Sequence, residues 1–120
     1  MRIFKNTWFT RYAGKEGISD NELKDIVCQL EEGQADANLG GDVYKLRIAR
    51  SGEGKSGGYR VIVLFRSKER TFYMYGFAKS ERVNISEREL RNFKRAAKKY
   101  FSMSDAQIGR TVKYGELIEL

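Results

Sequence analysis

Lys45, Arg47, Lys55 and Arg60 fall within sixteen residues of one another, around a loop with four glycines between 52 and 58. Arginine stays protonated, and its forked donors match a phosphate; lysine is a point charge that can also give up a proton. Such a set, if the fold brings it together, either holds an anion such as a phosphate or simply keeps a glycine-rich hairpin loop solvated. Composition removes the competing mechanisms. The chain has no histidine, which excludes Ser/His and Cys/His nucleophilic pairs, histidine metal sites and a histidine acid/base couple. The one cysteine, Cys28, excludes a disulfide within the chain and a Cys-rich zinc site, so no metal or cofactor is expected. Gly54-Lys55-Ser56 is only loosely like a triphosphate-binding loop: the earlier glycine is missing, and Gly57-Gly58 follows in place of a helix.

The elements that must position these residues read from the periodicity. In 43–50, Tyr44, Leu46 and Ile48 alternate with Lys45, Arg47 and Ala49, a strand that buries one face and sets Lys45 and Arg47 on the other. The 58–66 stretch is apolar on both faces and reads as a central strand, with Arg60 at its start on the face of Ile62 and Leu64. An aromatic-rich strand follows at 70–78 after the polar 67–69 connection, completing an antiparallel meander. If the first two strands form a hairpin, Lys45, Arg47 and Arg60 converge on one open face. Lys55 then lies overhead in the 52–58 loop, and Lys79 and Arg82 follow the third strand.

The flanks read as short elements. A first strand at 2–5 precedes a helix capped by Asn6, with Trp8, Phe9 and Tyr12 in its apolar stripe, ending in the 14–17 stretch. Ser19 and Glu22 have capping-box spacing before Leu23, Ile26, Val27 and Leu30, with Gly33 as the stop and Cys28 on the helix flank. Ser86 and Glu89 repeat the pattern. They open a helix whose stripe is Leu90, Phe93, Ala96, Ala97, Tyr100 and Phe101, opposite Arg88, Arg91, Lys94, Arg95, Lys98 and Lys99. Ser104 caps a last short helix with Ile108 and Val112, and 116–120 forms a strand or a packed tail. The expected fold is α+β, a single domain over 1–120, with a small, mostly antiparallel sheet of three to five strands against N-terminal and C-terminal helices.

The 120 residues carry 23 Lys+Arg against 16 Asp+Glu, a net charge of +7. Residues 43–99 alone hold 16 against 5, a net of +11, so both ends are slightly acidic. A basic field concentrated this way attracts polyanions, phosphate backbones above all. No run approaches a membrane span and no secretion signal is visible, so the expected compartment is the cytoplasm.

Tyr44-Lys45-Leu46-Arg47, then Gly58-Tyr59-Arg60-Val61-Ile62, then Tyr75-Gly76-Phe77-Ala78-Lys79-Ser80-Glu81-Arg82 resemble, in order and spacing, the sheet of RelE/ParE-superfamily toxins of bacterial toxin–antitoxin modules. The 52–58 loop and the 77–86 ending look most like the HigB-type branch. The resemblance covers about residues 40–100 and implies a ribosome-dependent messenger-RNA endonuclease, held inactive by a cognate antitoxin that is a small helix-turn-helix protein. The substrate's 2′-hydroxyl would attack the adjacent phosphodiester. On the matching positions Arg47 and Arg60 would stabilise the transition state, and Lys45 would be general base with Lys55 an alternative. Lys55 or Lys79 would protonate the leaving oxygen or contact flanking phosphates. Arg50, Tyr59, Arg82, Lys94, Arg95, Lys98 and Lys99 are the candidate nucleic-acid contacts, the last four either binding ribosomal RNA or forming a solvated helix face. The chain departs from the RelE pattern at Ser80, where an arginine is usual, and at Ser86, where a tyrosine is usual. Two other functions remain: a non-catalytic nucleic-acid-binding module, and a ParE-like gyrase inhibitor, which has no need of a phosphate-cleaving face.

Overall fold

The computed structural model describes residues 1–50 and 54–120, and at 50 and 54–57 the backbone alone. Its elements run β1 (Arg2–Asn6), α1 (Thr7–Glu16), α2 (Asp20–Glu31), β2 (Ala37–Gly40), β3 (Val43–Arg50), β4 (Gly54–Arg66), β5 (Arg70–Ala78), α3 (Glu87–Ser102), α4 (Asp105–Lys113) and β6 (Leu117–Glu119). The strands form one sheet in the order β2-β3-β4-β5-β1-β6. All neighbours pair antiparallel except β1 with β5, so this is the expected α+β class with six strands in place of three to five. The additional edge strand is β2, whose four residues show no apolar alternation and exist as a strand through pairing with β3.

Alternation along β4 builds both cores. Val61, Val63 and Phe65 face α1 and α2 with Phe9, Leu23, Ile26, Val27 and Leu30, while Ile62 and Leu64 face α3 and α4 with Phe4, Phe72, Tyr100 and Ile108. Short-range chemistry fixes the helix starts. Asn6, Ser19, Ser86 and Ser104 each accept the backbone N–H three residues on, and the last two complete reciprocal capping boxes with Glu89 and Gln107. Gly17, at φ 71°, closes α1 in the left-handed region.

One expected boundary changes. β4 begins at Gly54, not at 58, and Gly54 pairs with Arg50, so most of the supposed 52–58 loop is strand. Arg60 therefore lies well inside β4. The 51–53 part of the loop and the Lys55 and Arg50 side chains lie outside the described residues.

Gly76 shows how tightly α1 sits on the sheet. A Cβ there would come within 2.5 Å of Cε2 of Tyr12, whose ring is itself held by Trp8, Phe9 and Tyr59. Gly76→Ala is expected to destabilise the fold by about 1–3 kcal/mol through overpacking, read as a lowered melting temperature. An unchanged melting temperature would mean that Tyr12 can move aside freely.

Candidate functional site

The α3-side face of the sheet divides into two halves. Val43, Ile62, Leu64 and Phe72 lie beneath α3 and α4. Farther along the same strands the residues on this face become Lys45, Arg47 and Arg60. The register puts Arg47 directly opposite Arg60, and Arg60 opposite Phe77; one pleat along, Lys45 is opposite Ile62, and Ile62 opposite Tyr75. The structure thus brings together the three cations that the alternation predicts.

Their environments differ. Lys45 is half-buried, and its Nζ donates to Oδ1 of Asn84 at 3.4 Å, reaching the connection between β5 and α3. Arg47 turns to the sheet edge, where its Nε meets Oδ1 of Asp36 at 3.0 Å and its backbone N–H donates to the other oxygen of the same carboxylate. Arg60 is only 8% exposed, set between the neighbouring strands in the middle of its row. Its Nη1 donates to the Tyr59 carbonyl at 3.5 Å.

Arg82, expected as a nucleic-acid contact, forms a brace in the structure. Its Nε donates to the Asn84 carbonyl at 2.8 Å and its Nη1 to the Tyr75 hydroxyl at 3.0 Å, while Nη1 and Nη2 together grip the Glu89 carboxylate. The guanidinium also lies 5.7 Å from the centre of the Tyr75 ring and 5.9 Å from that of Phe77. It ties the 79–86 connection, and through Asn84 the Lys45 amine, to the sheet and to the start of α3. Hydrogen bonds from Arg82, then from the Ser86 backbone, hold the Glu89 carboxyl at about 2, well below the ordinary 4.5. A depressed carboxyl stabilises the folded state above its ordinary value and loses that contribution as pH falls toward the folded one. The melting-temperature gap between wild type and Glu89→Gln should therefore be full at neutral pH and close between about 4.5 and 2. A gap that persists at the acid end would contradict the ion pair.

The remaining candidates divide by position. Lys79 is exposed directly after β5, and its backbone N–H donates to Gly58 at 3.4 Å. Lys94, Arg95, Lys98 and Lys99 are exposed on α3 together with Arg88 and Arg91. The Lys94 stem lies across the turn between β2 and β3, where a Cβ on Gly41 would meet its Cγ at 3.0 Å. Tyr59 is not brought to this face. It alternates with Arg60 onto the α1 side, 4% exposed, and its hydroxyl donates to Glu16 at 3.1 Å, which leaves the ring to packing. Sequence reasoning missed the holders Asp36 and Asn84, distant in sequence from the cations they fix. Glu89 was legible as a cap but not as the partner of Arg82.

Among the described residues no helix is long and apolar enough to cross a membrane. The model of one protein family, the RelE toxin of the RelE/RelB toxin–antitoxin system, matches residues 1–120.

Proposed function

Because this chain belongs to the RelE toxin family, we propose that it arrests growth by cutting messenger RNA on the ribosome. It is a toxin of a toxin–antitoxin system, and a cognate antitoxin is its partner. The observation that carries the nuclease reading is the direct pairing of Arg47 with Arg60, with Lys45 one pleat away on the same face. With the Arg47 guanidinium swung from Asp36 toward Arg60, that face would hold one phosphodiester between two guanidiniums and an amine.

In the proposed reaction the Lys45 amine takes the proton of the ribose 2′-hydroxyl, and O2′ attacks the adjacent phosphorus. The bond to O5′ breaks, and the departing oxygen takes a proton from Lys79, with Lys55 the alternative for either proton step. The products are a 2′,3′-cyclic phosphate and a 5′-hydroxyl. Arg60 and Arg47 stabilise the added charge of the transition state. Asp36 and Asn84 act as positioning residues, through Arg47 and Lys45. Ribosome dependence fits the basic outer face of α3, and the HigB-like sequence resemblance points to a small helix-turn-helix antitoxin.

Controlled expression in bacteria with 5′-end mapping of messages tests this reading. Growth arrest with cuts inside translated frames, relieved by the antitoxin, is the expected result. Arrest with intact messages and damaged DNA would overturn it in favour of gyrase inhibition.

A further inference from the structure

A second feature lies outside the cationic cluster, where β5 runs past the end of β1. The pairing of the two strands ends at Lys5 with Tyr73, and α1 starts immediately beyond. Trp8, in the first turn of α1, leans across that edge onto the Tyr75 ring, with centroids 4.5 Å apart, and stacks on Tyr12 at 5.1 Å. Trp8 nevertheless remains 44% exposed, unusual for the largest apolar side chain in a chain with a full core. With Arg11, Tyr12 and Lys15 it lines a shallow cavity of about 280 Å³.

Three properties identify what would occupy this ledge. The surface offers the 44% of Trp8 left uncovered by the Tyr12 and Tyr75 rings, an aromatic group on which any nucleobase can stack. Arg11 and Lys15 are exposed and, among the described residues, form no ion pair, whereas Arg47 and Arg82 are each held by a carboxylate. Finally, Trp8 touches Tyr75, and Tyr75 carries Arg82 on its hydroxyl, so the aromatic strip continues directly into the proposed cleavage face. A chain whose phosphate lies on Arg60 would pass Phe77 and Tyr75 to reach Trp8.

We propose that Trp8, Arg11 and Lys15 form a base-stacking subsite for single-stranded RNA, holding a nucleotide that flanks the scissile phosphate. The inference rests on the nuclease reading above, and its test separates the two. Trp8 is the sole tryptophan, so tryptophan emission, excited selectively over the seven tyrosines, reports on this ledge alone. The purified toxin is titrated with a short fluorophore-labelled single-stranded RNA, made uncleavable by 2′-O-methylation, with anisotropy reporting binding. In parallel, the unlabelled oligonucleotide is titrated and the tryptophan emission is followed.

Saturable quenching that tracks binding is expected. Trp8→Leu, which keeps an apolar cover over Tyr75, should weaken binding about five- to tenfold. The Arg11→Ala, Lys15→Ala double variant should weaken it and flatten its salt dependence while retaining the quench at saturation. Binding without quenching, or unaltered by Trp8→Leu yet lost in Arg60→Ala, would overturn the ledge and leave the cleft. No binding by any form would overturn the ledge, while the ribosome-dependent nuclease reading is decided by the end mapping of messages above. Quenching by the antitoxin and not by RNA, with antitoxin affinity lost in Trp8→Leu, would assign the surface to a protein partner. Melting temperatures of each variant confirm that the fold is intact.

Discussion

Arg60→Ala is expected to lower message cleavage by about two to three orders of magnitude, the cost of removing one preorganised donor from a transition state, and to let expressing cells grow. The residue is the middle of its row, between Arg47 and Phe77, and is 8% exposed, so its charge is placed by the sheet and not by a flexible arm. Arg47→Ala should cost less, because Asp36 already offsets part of that charge and the side chain is 45% exposed at the edge. Arg60→Lys keeps the charge but loses the planar fork, so it should recover only part of the activity. Lys45 separates the proton step from electrostatics. Lys45→Arg preserves a cation that cannot act as base, and it should fall as far as Lys45→Ala. The readouts are end-mapped cleavage rate and growth, with antitoxin binding as the check on folding. Full cleavage by Arg60→Ala would remove the proposed site, and activity retained in Lys45→Arg would move the base elsewhere, to Lys55 first.

The face these residues share was legible because a strand has period two and the apolar positions around it were unambiguous. The same rule places Tyr59 opposite Arg60, so its expected nucleic-acid role was already at odds with the alternation. The limits of β5 and the four N-caps were readable for a related reason, since turns and caps depend on residues within three or four positions. β2 and the start of β4 were not. Ala37–Gly40 and the Gly-Lys-Ser-Gly stretch carry no periodic signal, and both are strands only through partners on β3. The holders of the site are equally non-local: Asp36 is eleven residues from Arg47, and Asn84 is thirty-nine from Lys45. Composition identified the cations, and only the folded chain showed which of them are braced by carboxylates. Arg82 is the plainest case, a basic residue beside a basic face whose donors turn inward to Asn84, Tyr75 and Glu89.

Neutralising the outer face of α3 should produce effects of opposite sign on binding and on stability. Arg88, Arg91, Lys94, Arg95, Lys98 and Lys99 are all exposed on one helix, many of them three or four positions apart. Like charges at that spacing destabilise a helix by about 0.2–0.5 kcal/mol per pair, so the sequence carries a standing cost that a solvated face does not require. Substituting Lys94, Arg95, Lys98 and Lys99 by glutamine keeps long side chains and good helix propensity, including a stem over the turn at Gly41, while removing four charges. The expected melting temperature is equal to or above wild type. Ribosome co-sedimentation should weaken, and the slope of log affinity against log salt should flatten by up to about 3, because counterion release scales at roughly 0.7–0.9 per phosphate contact. Loss of binding together with a lowered melting temperature would indicate a damaged helix. Unchanged sedimentation with a raised melting temperature would instead show these cations to be surface charge of no consequence for the ribosome. A flattened slope in an intact protein requires that the helix itself meets phosphate, and with it that the toxin is held on the ribosome by α3 while the sheet addresses the message.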